Sequence, residues 1–208
     1  GRAKREACMN TDVLVVGAGP TGLMLANQLG RRGICLAIID RHSGPAQQTR
    51  AMAVQARTLE IYAQLFIAEQ ALELGRRGEA ANVWANGKRT ARIPLGDIGQ
   101  DLSPFPYVLI LGQDDNERIM GEKLRDWGVS VQWNTELIAL EQKQGYVEAI
   151  VKQPNGATRP IQASYVAGCD GGHSAVRELS GIAFPRAPYE HVFFVADTRR
   201  AGSMVPRE

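Results

Sequence analysis

The chain has 208 residues, 44% of them hydrophobic, and a formal net charge of +2. That length can bury a full core and exceeds one minimal domain, and the interspersed charges leave no basic stripe for nucleic acid. No apolar run reaches the ~18–20 residues that cross a bilayer, there is no secretory h-region, and the dispersed Cys8, Cys35 and Cys169 suit neither a metal site nor an even disulfide framework, so a cytoplasmic, metal-free protein is expected.

Arg2 to Arg5 form a short basic tail. The run Thr11 to Val16 then reads as a buried parallel strand. It leads straight into Gly17-Ala18-Gly19-Pro20-Thr21-Gly22, which would make a tight turn, let backbone approach a pyrophosphate and pack a helix against the strand. The helix covers Leu23 to Leu29, and its positive N-terminus faces whatever anion lies over the turn. Gly33 closes it, and a second apolar strand, Ile34 to Ile39, ends in Asp40. That acid lies eighteen positions beyond Gly22, where a dinucleotide fingerprint places the ribose ligand.

Arg41 to Pro45 read as a turn-rich loop, followed by Thr49-Arg50-Ala51 and a helix with periodic Leu59, Tyr62, Leu65 and Phe66. Asn86-Gly87 marks a hairpin over residues 80–94. Residues 106–111 return as a strand, Asn116 to Trp127 form an amphipathic helix stopped by Gly128, and Val129 to Trp133 are expected to be a strand. Residues 135–166 read as a β-meander turning at Asn155-Gly156. Cys35 and Cys169 are placed in buried strands, and core packing is the reading preferred for Trp84 and Trp133.

A second glycine run, Gly168-Cys169-Asp170-Gly171 with Ser174 and Arg177, again sets an acid between a strand and a helix that starts near Gly172. Together the two runs resemble the flavin-dependent aromatic hydroxylases, the group A flavoprotein monooxygenases. The likeness extends over roughly residues 11–200. It implies an α/β fold of FAD-binding Rossmann-like type, a parallel sheet with a crossover β-meander, and the start of a second, β-rich substrate domain. Residues 11–75 and 106–185 would form the discontinuous FAD-binding domain; 76–105 and 186–208 would belong to the substrate domain.

By the same resemblance FAD would contact Gly17, Gly19, Pro20, Thr21, Gly22 and Asp40, with Arg41 flanking the adenine and Arg50 reaching the phosphates or the flavin edge. Gln113, at a strand end before a helix, would meet the ribityl or pyrophosphate region, and Asp170 with Gly171 the ribityl chain. NADPH or NADH would reduce the flavin, O2 would supply the oxygen, and the substrate would be a small phenolic or polyketide ring. No catalytic acid or base stands out; His173 reads as a capping or surface residue.

Two alternatives remain at this stage. One is another enzyme on the same flavin fold, a halogenase or an isoprenoid reductase; the halogenase Trp-x-Trp-x-Ile-Pro run is not matched around Trp84. The other is a shortened, non-catalytic protein. The family is nearly twice as long and carries a Gly-Asp-Ala-Ala-His-type third signature that these 208 residues lack. The chain is therefore expected to be an N-terminal piece or a shortened product, inactive in hydroxylation by itself and self-associating through a strand edge at His191 to Val195.

Overall fold

The computed structural model describes residues 10–46, 51–185, 187, 190 and 191. Their contacts divide into two units, one from residues within 1–46 and 120–187, the other from residues within 47–119 and 188–208. The expected boundary placed residues 47–75 and 106–119 with the first glycine turn. The contacts place the described residues among them, 51–75 and 106–119, in the second unit.

In the first unit β1 (Asn10–Val16) leads to α1 (Pro20–Gly30) and then β2 (Leu36–Ile39). The apolar run at the start of the chain is buried on both faces, with Leu14 and Val15 fully inaccessible, as a central parallel strand requires. β8 (Glu136–Gln142), β9 (Val147–Lys152) and β10 (Thr158–Gly168) form the expected meander. The meander returns β10 alongside β1 in parallel, giving the order β2-β1-β10-β9-β8. Gly156, at φ 80, makes the turn between β9 and β10.

One face of this sheet packs Leu14, Val16, Ile39, Leu137, Ala149, Val151, Ile161 and Ala163 into a continuous core, with Val176 against it. Each such large aliphatic side chain contributes about 1.5–3 kcal/mol by leaving water. Val176 belongs to α5 (Ala175–Leu179), which lies on β8 and β10.

The second unit contains β3 (Ala51–Val54), α2 (Ala56–Gln64), α3 (Ala68–Leu74), β4 (Arg76–Gly78), β5 (Ala80–Ala85), β6 (Lys88–Pro94) and β7 (Val108–Gly112). β7 lies between β3 and β4, and β5 pairs with β6 through a turn in which Asn86 and Gly87 are both left-handed, as Asn-Gly prefers. α4 (Gln113–Asp126) begins in this unit and ends in the first.

Four expectations fail. Residues 129–133 are not a strand: only Gln132 bridges Ile39, after which the chain hooks back at Asn134, φ 50, so that Thr135 N–H donates to the Asp40 carbonyl. Phe66 leaves the helix, with φ 61 and 85% exposure, because α2 stops at Gln64. Trp84 is exposed on a two-stranded hairpin that has no covered face there, and Trp133 is half-buried. Cys35 and Cys169 flank β2 and β10 rather than lying within them, and both are half-buried. Of the strand expected over 191–195, all but His191 lies outside the described residues.

Asn27 ties α1 to the end of α4. Fully buried, it donates through Nδ2 to the carbonyls of Leu23 and Met120, both at 2.9 Å, and accepts from Trp127 Nε1 at 3.1 Å. An Asn27→Leu substitution would leave the half-buried Trp127 indole N–H without its acceptor and cut the link from α1 to the Met120 carbonyl. It is expected to cost about 1–3 kcal/mol in urea unfolding.

Candidate cofactor site

The site lies where β1, β2 and β10 end together. Gly17 N–H donates to the Ile39 carbonyl at 2.9 Å and Cys169 N–H to the Val16 carbonyl at 2.7 Å, so the three strand ends are held flush. The glycines of the turn divide the work. Gly17 has φ +101, and a Cβ there would sit 2.3 Å from the Cys169 carbonyl oxygen; at Gly22 it would lie 1.8 Å from the Gly17 carbonyl oxygen. Both are required by packing. Around Gly19 there is no atom within 4 Å of a Cβ, so the space beside it is open.

Gly19 is also the N-cap of the 11-residue α1, with Pro20 in its first turn, no side-chain cap and no acid in that turn. The helix N–H groups there have no side-chain cap and no acid from their own turn, which leaves the positive end available to a bound anion. Thr21 is exposed at the same end.

Two carboxylates flank the turn. Asp40 Oδ2 accepts from Ala18 N–H at 2.7 Å; Oδ1 accepts from His42 N–H at 2.8 Å and from the His42 ring Nδ1 at 2.7 Å. Asp170 Oδ1 accepts from the Ser174 hydroxyl, and Oδ2 from Ala175 N–H at 2.6 Å and Val176 N–H at 3.3 Å. Asp170 thus fastens the start of α5, while Ser174 caps it through Arg177 N–H. A carboxylate oxygen offers two acceptor positions, so each of these groups keeps one, on Asp40 Oδ2 and Asp170 Oδ1.

Both carboxylates line a cavity of about 60 Å³ with Val16, Gly17, Arg41, His42, Thr135, Glu136, Leu137 and Ala175. Three carboxylates against one arginine favour neutral hydrogen-bond donors in the cavity over an anion, which belongs at the end of α1. Beside Asp170, burial and then that residue's charge push the Cys169 thiol up, so it stays protonated and is no nucleophile at neutral pH.

Of the residues chosen from sequence, Gly17, Gly19, Pro20, Thr21, Gly22, Asp40, Arg41, Asp170 and Gly171 all belong to the first unit. Arg41 is exposed. Gly171 opens the short 3₁₀ turn Gly171–His173 with φ +79, and His173 is exposed within it. Gln113 starts α4 in the second unit and donates to the buried Glu117 carboxylate at 2.8 Å. Arg50 lies outside the described residues. Sequence reasoning missed the hold of His42 on Asp40 and the wall at Thr135–Leu137. A histidine two residues after a strand-end acid was a usable signal for the first; nothing in the pattern announced the second.

The family model of the FAD binding domain matches residues 10–199. The chain belongs to this FAD-binding family. It is 33% identical over 179 residues to pentachlorophenol 4-monooxygenase of Sphingobium chlorophenolicum, covering 86% of this chain and 33% of the relative. It is 35% identical over 170 residues to 6-methylpretetramide 4-monooxygenase of Streptomyces rimosus, covering 82% and 30%. The structure superposes with a TM-score of 0.78 and 28% identity on the flavin-dependent monooxygenase PieE in complex with FAD and substrate, over 86% of this chain and 33% of that one. The chain therefore spans about a third of the length of the curated relatives it matches, so these relatives exceed the nearly twofold length expected from the resemblance. Among the described residues no helix is long and apolar enough to cross a membrane, and no cluster of His, Cys, Asp and Glu could hold a metal ion.

The residues present fit the dinucleotide that the family implies. The open space at Gly19, the uncapped α1 and the free acceptor on Asp40 lie together, and the packed glycines are those a ligand does not need to approach. The division of labour has a stability signature. Gly17→Ala is expected to lose about 3 kcal/mol or more, from overpacking and a left-handed φ, whereas Gly19→Val should unfold within about 1 kcal/mol of the parent in chemical denaturation.

Proposed function

We propose that this chain is the FAD-binding part of an NAD(P)H- and O2-dependent monooxygenase that hydroxylates a phenolic or polyketide ring. The observation that carries the reading is the open Gly19 cradle at the uncapped end of α1, beside Asp40, in a member of the FAD-binding family. The relatives' names, which specify monooxygenases of chlorinated phenol and of a pretetramide, supply the reaction class. They do not favour a halogenase or an isoprenoid reductase.

When bound, FAD supplies electron storage and activation of O2. The chain's own residues bind and orient it. Backbone N–H groups at the start of α1 receive the pyrophosphate, whose charge the helix end stabilises, and Gly19 admits it without a clash. Asp40 accepts from the adenosine ribose and Arg41 flanks the adenine. Asp170, fixed by the start of α5, offers its remaining Oδ1 acceptor to a ribityl hydroxyl, and Gly171 lets backbone approach. Arg50 and Gln113 complete the proposed contacts. A reduced nicotinamide is the proposed electron source, and the cytoplasm the proposed compartment.

The test is a visible spectrum of the purified protein with FAD, followed by assay of products from phenols and polyketide aromatics with NADPH or NADH under air. Flavin absorption supports the reading, and no ring-hydroxylated product is expected from this FAD-binding part by itself; a protein that takes up no FAD overturns it. Asp40→Ala is expected to weaken FAD binding by about 1–3 kcal/mol in a fluorescence titration, by loss of a charge-assisted bond. Gly19→Val should fold and yet fail to bind FAD.

A further inference from the structure

The ribose of an adenosine group carries two adjacent hydroxyls, and a strand-end carboxylate that accepts from both needs two open acceptor positions. Asp40 cannot do this as it stands. Oδ1 is filled by two donors from one residue, the His42 backbone N–H at 2.8 Å and the His42 ring Nδ1 at 2.7 Å; Oδ2 already holds Ala18 N–H at 2.7 Å. One acceptor position remains where a ribose diol would use two.

The two occupants of Oδ1 differ in how firmly they are held. The His42 backbone N–H is fixed by the chain, and His42 O in turn accepts from Asn134 N–H at 2.8 Å. The ring is not fixed: His42 is 68% exposed at its side chain, whereas Asp40 is only 11% exposed. Apart from Nδ1, no hydrogen bond of that ring is among the described contacts. An exposed imidazole that rotates about χ1 can leave the carboxylate at the cost of one hydrogen bond, while Asp40 cannot turn away from the glycine turn without losing Ala18.

We propose that the His42 side chain is an internal competitor for the ribose-binding carboxylate, so that the adenosine end of the cofactor seats fully only when the imidazole swings out. His42 thereby sets the affinity for the adenosine half of FAD without being a ligand of it. The inference rests on the FAD reading above and goes beyond it in naming a residue that weakens binding. It separates His42 from its neighbour Arg41, which lines the same cavity and is proposed to assist.

The experiment compares parent protein, stripped of flavin, with His42→Ala and His42→Asn, by fluorescence titration with FAD and calorimetric titration with ADP and FMN. Truncating the ring leaves the backbone N–H bond in place. His42→Ala should bind FAD and ADP roughly three- to tenfold more tightly, the range one hydrogen bond between side chains commands. FMN, which lacks the adenosine ribose, should be unaffected. In an Asp40→Asn background the gain from His42→Ala should vanish, because the competed acceptor is altered. His42→Asn, with a shorter side chain that can still donate, should fall between parent and Ala. Equal or weaker FAD and ADP binding by His42→Ala overturns the inference, as does an equal gain toward FMN. Absence of FAD binding by every variant, parent included, overturns the cofactor reading itself.

Discussion

The first unit depends on one contact, the seating of the Gly17 turn against the backbone of Cys169 and Asp170. A methyl group on Gly17 would sit 2.3 Å from the Cys169 carbonyl oxygen, so the two turns touch backbone to backbone. The parallel pairing of β1 with β10 brings them there, and the Cys169 N–H to Val16 hydrogen bond locks the arrangement. From that contact the rest of the site follows. β2 lies on the other side of β1, which puts Asp40 beside the turn; the chain beyond β10 must leave immediately, which puts Asp170 at the head of α5. The two carboxylates share one cavity because the two strands that carry them flank the same central strand.

Much of this was legible. A continuous apolar run ending in glycine identified β1, and the expected meander with the second glycine run identified β10. The Asn-Gly pairs identified both hairpin turns: Asn86 and Gly87 are both left-handed, and at the second turn Gly156 alone is. The spacing from Gly22 to Asp40 identified the carboxylate. What failed shares a cause: partners that only the fold supplies. Val129 to Trp133 alternate like a strand, but the edge beside β2 admits one bridge before Asn134 hooks the chain back toward Asp40. Phe66 and Trp84 are apolar and periodic, and a pattern rule buries such residues; whether a surface covers them is a tertiary matter. The roles of the carboxylates were legible only in part. Sequence showed where Asp170 lies, but not that three donors of α5's start already occupy it.

That occupancy sorts the polar groups of the site by physical role. A buried acceptor left without donors costs about 1–3 kcal/mol, more for an ionised one. The protein therefore supplies each carboxylate with three internal donors, Asp170 from the start of α5 and Asp40 from Ala18 and His42, and leaves one acceptor position on each. The start of α1 does the reverse: around Gly19 there is open space, no side-chain cap and no acid in the helix's first turn. Acceptors are guarded and donors are open.

The asymmetry has an electrostatic reason. An exposed helix terminus is hydrated cheaply when empty and gains only about 0.3–1 kcal/mol from a favourable charge nearby, so leaving it open destabilises the fold little. A half-buried carboxylate has no such latitude, since Asp40 at 11% exposure meets little water and sits in a cavity that also holds Asp170 and Glu136. Donors drawn from the protein hold that cluster together, and of those donors the His42 ring is the one on an exposed side chain. Removing a backbone donor would mean unmaking the turn or α5; removing the ring requires one rotation. The donors that fix the shape of the site are thus backbone or buried groups, and the His42 ring is the adjustable one.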